Sequence, residues 1–376
     1  MVVAGNTPNM GRMAHDLPNY DFSRNPMLVY WEMTQACGLA CKHCRAEAMP
    51  TANPLELSSE QSKSFLNQLL EFGDPLPHLI LTGGDPLNRK DIYELIDYAK
   101  GLGVEVSITP AATDQLTNDA ISKLKAHGIQ AMGLSLDGSS AARHDNIRNV
   151  PGTFERTMEA ARHCGRIGLP IQVNTLVAEE TADDLPAIYE LLRTSFPVMR
   201  WSLFMLISVG RGKQLNEVSP ERGECIMKWV FDLSPNAPFQ IKTTEAPSYR
   251  RIAVEQMRKS HMATADMKTT SVYRGFQIRD GHGIVFVSNL GEIYPSGFLP
   301  LHCGNVRTDS LVNVYRNSDI FRSLHSPDQF HGKCGACEYS HICGGTRARA
   351  YAYTGDALGT DPFCPYEPAT SETVTA

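Results

Sequence analysis

The chain has 376 residues, of which 42% are hydrophobic and 20% are charged, and its formal net charge is -6. This composition is typical of a soluble globular protein with one large domain and a smaller one. The acidic balance argues against a general nucleic-acid-binding protein, which is normally basic. No apolar run reaches the roughly 18 residues of a membrane span, and residues 1–20 lack the apolar core of a secretory signal. We therefore expect a cytoplasmic protein that binds neither membrane nor nucleic acid.

After an N-terminal arm at 1–26, six predicted strand–helix units follow one another. The predicted strands are 28–33, 78–84, 104–110, 131–138, 170–177 and 200–207. The predicted helices are 58–73, 91–103, 117–128, 153–168, 183–194 and 219–233. Ser58 and Gln61 form a capping-box pattern at the start of the first helix. The alternation predicts an α/β fold with parallel strands and crossover helices, as an open sheet or as a barrel short of eight units.

The second half of the chain has a different pattern. Residues 236–280 are less regular, and we interpret them as a linker after a core domain at 27–235. Residues 283–297 predict a hairpin about an Asn-Leu-Gly turn, and a helix is predicted near 310–325. We therefore place a small C-terminal domain at 281–376, which ends in a cysteine-rich tail.

Ten cysteines in a chain from a reducing compartment favour metal binding or catalysis over disulfides. Cys37, Cys41 and Cys44 lie together on a loop that leaves the first predicted strand. Thiolates at this spacing suit an iron–sulfur cluster, which usually takes four cysteines, so three of them leave one iron open. A zinc site is the alternative, with the nearby His43 as its candidate fourth ligand.

The C-x3-C-x2-C loop, placed after the first strand of a six-unit α/β fold, resembles the radical SAM superfamily. This resemblance implies a partial (β/α)6 TIM-like barrel and a [4Fe–4S] cluster held by Cys37, Cys41 and Cys44. The open iron would be chelated by the amino and carboxylate groups of S-adenosylmethionine (SAM). The implied reaction is reductive cleavage of SAM to a 5′-deoxyadenosyl radical, which abstracts a hydrogen atom from a substrate. His43 fills the position before the third cysteine, which is typically aromatic in the superfamily.

Further segments resemble SAM-binding motifs of the superfamily. The segment TGGDP at 82–86 is similar to the GGEP motif, whose backbone holds the SAM amino group, although Asp replaces the usual Glu. An ordinary glycine turn is the alternative for this segment. The segment SLDG at 135–138 contributes a candidate ribose contact, and a loop arginine and a strand asparagine are weaker candidates that structural roles explain equally well. The candidate cofactor-binding residues are Gly83, Gly84, Asp85, Pro86, Ser135, Asp137, Arg148 and Asn174.

The tail carries a complete set of four cysteines, which suffices for one cluster or one zinc ion. Behind such a core it resembles the SPASM/Twitch class of C-terminal extension, although Ser296 and Thr346 stand at or near positions where further cysteines are expected. The resemblance implies one auxiliary [4Fe–4S] cluster of a shortened type. Because four protein ligands leave no iron open, we expect this cluster to relay electrons, with substrate binding as the alternative. Its implied ligands are Cys334, Cys337, Cys343 and Cys364.

Several residues near these motifs are left with open roles. Arg347 and Arg349 follow the third tail cysteine and could hold substrate carboxylates, donate hydrogen bonds to cluster sulfides, or lie in solvent. Cys303 is either an adventitious thiol or an additional ligand. Cys164 and Cys225 fall within predicted helices, and we expect both in the core.

The tail, together with the segments GFLPL and GNVR, most resembles the tetrapyrrole-modifying, haem-synthase branch of the superfamily. This implies a tetrapyrrole-like or other small-molecule substrate, with an electron donor such as flavodoxin or ferredoxin. A peptide-modifying maturase is the first alternative. The arm at 1–26 is too short for a leader-binding domain, although a partner protein could supply one. A non-catalytic iron–sulfur electron carrier is a further alternative. The segments TGGDP and SLDG argue against it, because a carrier needs no SAM pocket.

Overall fold

The structure is a computed structural model that describes residues 20–267 and 270–369, so most of the predicted arm at 1–26 lies outside the described residues. Within these ranges one sheet runs in the strand order β10-β9-β8-β1-β2-β3-β4-β5-β6-β7. Its strands are β1 (Leu28–Glu32), β2 (His78–Thr82), β3 (Val106–Ile108), β4 (Met132–Ser135), β5 (Ile171–Val177), β6 (Arg200–Met205), β7 (Gln240–Thr244), β8 (Ile284–Val287), β9 (Glu292–Tyr294) and β10 (Gly304–Asn305).

Helices separate the strands and cover one face of the sheet. They are α1 (Ser59–Gln68), α2 (Ile92–Gly101), α3 (Asn118–Ala126), α4 (Ala141–Arg148), α5 (Thr153–Ile167), α6 (Glu179–Ala182), α7 (Leu185–Ser195), α8 (Pro220–Leu233), α9 (Ser248–Lys259), α10 (Thr264–Met267), α11 (Ser271–Arg274), α12 (Leu311–Asn317), α13 (Asp319–His325), α14 (Gly332–Gly335) and α15 (Arg347–Thr354). Short 3-10 helices include Pro86–Asn88 and Gly210–Gln214. The capping box is confirmed, because Ser58 Oγ accepts from the Gln61 amide at 3.2 Å and Gln61 Oε1 accepts from the Ser58 amide at 3.0 Å.

The predicted α/β class is confirmed, since β1 to β7 all pair in parallel with their sequence neighbours. The interpretation of 236–280 as a linker misses four elements, because this segment contains β7, α9 and the two short helices α10 and α11. The sequence pattern conceals β7 because it is a strand of mostly polar residues whose side chains are at most half-buried. A seventh parallel strand therefore extends the six that the sequence predicts.

The predicted hairpin is confirmed by the antiparallel pairing of β8 with β9. However, β8 also pairs in parallel with β1, with Leu28 opposite Ile284. The sheet is therefore continuous across the division that we predicted at 281, and that division stays a prediction. The helix predicted near 310–325 is two helices, because Ser318 is extended and caps the start of α13.

The sheet is curved rather than flat. Strands β1 and β6 are five positions apart, which corresponds to about 24 Å in a flat sheet. Yet the Arg211 amide, after β6, donates to the Cys44 carbonyl, after β1, at 3.0 Å. The loops at the carboxyl ends of the strands therefore converge, and in parallel α/β folds such ends are where ligands bind.

The two faces of the sheet differ in chemistry. The outer face carries large apolar side chains such as Trp31 and Trp201, which are fully buried in the main core. The concave face carries Tyr30, Arg200 and other polar or partly exposed side chains. Among the described residues, none of the helices has the length and apolar character needed to cross a lipid bilayer. The fold thus presents a polar concave surface below the converging loops.

Candidate active site

The three clustered cysteines lie on the loop that follows β1, and each thiol receives one N–H group. The Leu39 amide donates to Cys37 Sγ at 3.3 Å, and the Ala48 amide donates to Cys44 Sγ at 3.5 Å. Arg148 Nη1 lies 3.8 Å from Cys41 Sγ. N–H donors stabilise sulfur in its thiolate form, which is the form that binds metals.

The Cys37 thiol lies in surroundings that disfavour its thiolate form. Burial raises the pKa of Cys37 to about 11, with Asp85 and the neighbouring thiols adding to the rise. Within the described ranges, no three His, Cys, Asp or Glu side chains converge closely enough to share a single metal ion. A cluster of several metal atoms does not require convergence on one point, so the donor set fits an iron–sulfur cluster.

The TGGDP loop supports the cysteine loop directly. The Gly84 amide donates to the Thr34 carbonyl and the Asp85 amide to the Ala36 carbonyl, both at 2.7 Å. A Cβ atom on Gly83 would lie 2.4 Å from the Thr34 oxygen, and one on Gly84 would lie 2.4 Å from the Ala36 oxygen. The two glycines are therefore required for the approach of the cysteine loop. A SAM amino group donates hydrogen bonds, so on this loop it would bind carbonyl oxygens rather than amides.

The Asp85 side chain is directed into the protein. Its carboxylate accepts from Thr113 Oγ1 at 2.6 Å, from the Leu87 amide at 3.2 Å and from the Ala111 amide at 3.4 Å. Burial raises the pKa of Asp85, although these hydrogen bonds oppose the rise. The carboxylate thus ties the loop after β2 to the loop after β3, and Pro86 begins the 3-10 helix that Asp85 caps. A direct contact of this side chain with SAM stays a prediction.

Asp137 and Arg148 form a buried ion pair beside the cysteine loop. Arg148 Nη2 lies 2.6 Å from Asp137 Oδ2, and the Leu176 amide donates to Asp137 Oδ1 at 2.8 Å. Burial alone would raise the pKa of Asp137, but Arg148, with His43 and His144, lowers it below its ordinary value. The structure therefore brings two predicted site residues together and connects both to the thiol of Cys41.

Ser135 and Asn174 are neighbours on the concave face. They are register partners on the adjacent parallel strands β4 and β5, so their side chains point to the same side. Asn174 Oδ1 accepts from Gln172 Nε2 at 2.8 Å. Ser135 is the last residue of β4, and Asn174 is the middle residue of β5. The structure therefore groups them as predicted, and their contact with SAM stays a prediction.

Sequence reasoning missed the part of the site that follows β6. Arg211 Nε donates to the Cys41 carbonyl at 3.0 Å, and Arg211 Nη1 donates to the Ala48 carbonyl at 3.3 Å. A Cβ atom on Gly210 would lie 2.5 Å from the Arg45 oxygen. The sequence Gly-Arg-Gly directly after a predicted strand was the available signal, since glycines at strand ends permit close backbone approach. The missed residues hold the cysteine loop on the side opposite TGGDP.

The four tail cysteines form a second group of thiols. Three of them accept N–H groups: Cys334 from the Asp361 amide, Cys337 from the Tyr339 amide and Cys343 from the Gly345 amide, at 3.3 to 3.4 Å. Burial raises the pKa of Cys343 to about 12, and Cys364 and Cys334 contribute to the rise. The four thiols therefore lie close enough to influence one another, in surroundings that supply donors for thiolates.

Two of the three roles considered for the tail arginines are wrong. Arg347 and Arg349 are fully buried, so neither lies in solvent. Arg347 Nη2 donates to Cys334 Sγ at 3.3 Å, and Arg347 Nη1 donates to the Gly359 carbonyl at 2.7 Å. Arg349 pairs with Glu217 at 3.0 Å and donates to the Leu206 carbonyl at 2.9 Å. Neither guanidinium is free to hold a substrate carboxylate, and only Arg347 contacts a thiol of the tail.

The lone cysteines differ from one another. Cys164 is fully buried in the core, as predicted. The same prediction is wrong for Cys225, which is exposed because Gly223, Met227 and Val230 form the buried face of α8 and Cys225 lies on the other side. Cys303 donates to the Leu301 carbonyl, and burial raises its pKa to about 12. Its role as a further ligand stays a prediction.

A curved parallel sheet with a three-cysteine loop at its carboxyl edge defines a class of iron–sulfur α/β enzymes. Residues 31–192 match the Radical SAM superfamily. The chain is 36% identical to the AdoMet-dependent heme synthase of Methanosarcina barkeri (strain Fusaro / DSM 804), over 91% of this chain and 97% of that protein. It is 27% identical to the mycofactocin maturase MftC of Mycobacterium tuberculosis (strain CDC 1551 / Oshkosh), over 90% and 83%.

The solved structures agree on the fold. The crystal structure of Streptococcus suis SuiB bound to S-adenosylmethionine superposes with a TM-score of 0.68 at 15% identity, covering 91% of this chain and 78% of SuiB. The predicted partial TIM-like barrel is therefore confirmed. This protein belongs to the radical SAM superfamily, and it is an enzyme that uses a [4Fe–4S] cluster and SAM.

Proposed function

We propose that this enzyme modifies the propionate side chains of a tetrapyrrole by SAM-dependent radical chemistry. The observation that carries the proposal is the 36% identity to a heme synthase over 97% of that protein's length. The peptide-maturase alternative has weaker support, with 27% identity to a maturase over 83% of its length.

In this proposal Cys37, Cys41 and Cys44 hold the SAM-binding cluster, and the four tail cysteines hold an auxiliary cluster. When bound, the clusters supply one-electron transfer and SAM supplies the radical that removes a substrate hydrogen atom. Other residues of the chain position the cysteines that ligate the clusters. Asp137 orients the Arg148 guanidinium toward Cys41 Sγ, and the Arg347 guanidinium donates to Cys334 Sγ. Such hydrogen bonds to ligand sulfur tune the potential of a cluster.

The SAM pocket is proposed at the carboxyl edge of β2, β4 and β5. Carbonyl oxygens of the TGGDP loop would accept from the SAM amino group, since this group is a hydrogen-bond donor, while two amides of the loop hold the cysteine loop. Ser135 and Asn174 would face the ribose from the concave surface. We also propose a reducing, cytoplasmic location, which the ten free cysteines support, and flavodoxin or ferredoxin as electron donor.

The test is an anaerobic assay with the reconstituted enzyme, SAM and dithionite. A coproporphyrin, offered as the free base and as its iron complex, serves as the tetrapyrrole, and mass spectrometry follows both products. We expect 5′-deoxyadenosine together with a tetrapyrrole in which a propionate has become a vinyl group. The propionate loses a hydrogen atom to the radical and its carboxylate as carbon dioxide, and the remaining electron passes to an oxidised iron–sulfur cluster. Formation of 5′-deoxyadenosine with an unchanged tetrapyrrole would contradict the proposed substrate and favour the peptide-maturase alternative. Cys41→Ala should abolish nucleoside formation, whereas Cys225→Ala, at an exposed thiol, should not.

A further inference from the structure

Two cationic side chains lie on the concave face without an acidic partner. Arg200 begins β6 and Lys242 lies on the neighbouring β7. In the described part of the chain, Arg200 donates only to amide oxygens, to Gln172 at 3.3 Å and to Gln240 at 3.0 Å. Lys242 has no hydrogen-bond or ion-pair partner among the described residues. Most cations in protein interiors are paired, so this arrangement leaves two positive charges available to a ligand.

The strand register places Lys242 in the same row as the proposed SAM contacts. Ser135 lies beside Asn174, Asn174 beside Ser202, and Ser202 beside Lys242, on four successive parallel strands. Ser202 Oγ and Thr244 Oγ1 are 3.0 Å apart, which confirms that this face of β7 looks into the concave surface. At about 4.8 Å for each strand, Lys242 is at most about 14 Å from Ser135. A tetrapyrrole macrocycle can span such a distance.

The surroundings of Lys242 are concave. Its side chain is accessible to solvent, and yet burial by the surrounding protein lowers its pKa to about 8, with repulsion from Arg200 and Arg250 adding to the effect. Its ammonium is still mostly protonated at neutral pH, because its pKa is above 7.

The nearest acid does not neutralise these cations. Glu245 follows β7 in a left-handed backbone conformation with φ of 56°, and its carbonyl accepts from Thr346 at 3.0 Å and from Arg349 at 3.1 Å. Burial raises the pKa of the Glu245 carboxyl well above its ordinary value, and Asp280 adds to this rise. In the described part of the chain the Glu245 carboxyl forms no ion pair with Lys242 or Arg200, so both cations remain available to a ligand.

We propose that Lys242 and Arg200 form a substrate carboxylate subsite on the concave face, where they bind one propionate of the tetrapyrrole. The inference rests on the proposed function, because it assumes that substrate class. Arg200 offers a planar guanidinium held in place by two neutral amides, and Lys242 offers a mobile ammonium beside it. Together they can pair with a carboxylate as the substrate enters, and this orients the macrocycle relative to SAM.

The test compares the binding of coproporphyrin with that of its tetramethyl ester, which has the same ring and no carboxylates. We expect the wild type to bind the acid more tightly than the ester. Lys242→Met should weaken binding of the acid about tenfold and leave the ester unaffected, since a hydrogen bond to a charged group is worth about that factor. Lys242→Arg should restore most of the affinity. Lys123→Met, at an exposed position on α3, is the matched control.

The outcomes separate the two proposals. Equal binding of the acid by wild type and Lys242→Met would overturn the carboxylate subsite and leave the proposed function standing. Failure of the wild type to bind or turn over coproporphyrin would overturn the proposed function itself. Iron content and the denaturant unfolding curve of Lys242→Met should match those of the wild type, which shows that the variant is folded and carries its clusters.

Discussion

At the residue scale, the cysteine loop depends on a buried ion pair that the sequence does not reveal. Asp137 and Arg148 are separated by a turn and most of α4, and each alone has an ordinary structural explanation. The structure shows that Asp137 fixes Arg148, which in turn faces Cys41. Motif resemblance predicts Asp137 and Arg148 as separate site candidates. Their pairing depends on helix α4, which the sequence pattern does not reveal.

We predict that Asp137→Asn lowers the free energy of unfolding by about 3 kcal/mol, because it leaves the buried Arg148 guanidinium without its counter-charge. Denaturant unfolding of the metal-free chain measures this change. Glu190→Gln removes the partner of Arg193 in an exposed pair and should change stability by less than about 1 kcal/mol. Similar losses in both variants would contradict the importance of the buried pair.

His144 gives this region a dependence on pH. The Asp137 amide donates to His144 Nδ1 at 3.0 Å, and burial, followed by Arg148, lowers the His144 pKa from 6.5 to about 4. As the pH falls below 6.5 the unfolded chain binds a proton that the folded chain refuses, so stability falls between pH 6.5 and about 4. Unfolding curves across this range should show a smaller decline in His144→Gln. An identical decline in wild type and variant would show that His144 does not contribute.

At the element scale, three loops hold the cysteine loop: TGGDP after β2, the turn before α4 with its helix, and Gly-Arg-Gly after β6. The apolar outer face made six strands predictable, because Trp31, Leu79 and similar residues alternate with smaller or polar ones. An apolar pattern does not reveal β7, because this strand has no row of buried apolar residues. It does not reveal α4 either, because only His144 and Ile147 of this helix are buried. The convergence of loops is a consequence of sheet curvature, which no local pattern encodes.

We predict that Gly84→Ala destabilises the fold by at least about 2 kcal/mol and reduces iron content, because the new Cβ would lie 2.4 Å from the Ala36 oxygen and 2.6 Å from the Gln35 oxygen. Iron and sulfide analysis, together with unfolding curves, measures both effects. Gly101→Ala is the matched control, since nothing lies within 4 Å of its Cβ position. Normal iron content in Gly84→Ala would contradict the docking role of this glycine.

At the scale of the whole molecule, the tail is integrated with the core. Arg349 reaches Glu217, the Leu206 carbonyl and the Glu245 carbonyl, at or beyond the carboxyl ends of β6 and β7. A Cβ atom on Gly223 of α8 would lie 2.2 Å from the Phe363 ring. The four tail cysteines are identifiable from the sequence, but this attachment is not, because it depends on residues more than a hundred positions apart.

The two groups of cysteines should have separable roles. Cys337→Ala is expected to keep SAM cleavage, because the cysteine loop after β1 is unaltered, and to lose conversion of the tetrapyrrole, because the tail cluster lacks one ligand. Assays of 5′-deoxyadenosine and tetrapyrrole product on the same sample measure both. Cys225→Ala should retain both activities. Loss of SAM cleavage in Cys337→Ala, although the iron of the cluster on the cysteine loop is retained, would contradict this division.

The most direct measurement of the central claim follows one hydrogen atom. The reconstituted enzyme is given SAM, dithionite and a coproporphyrin deuterated only in its propionate side chains, and the isolated 5′-deoxyadenosine is analysed by mass spectrometry. Our account predicts one deuterium in the nucleoside for each propionate that is modified. Nucleoside free of deuterium, formed at the wild-type rate in the presence of the tetrapyrrole, would show that the radical of this enzyme acts on another substrate.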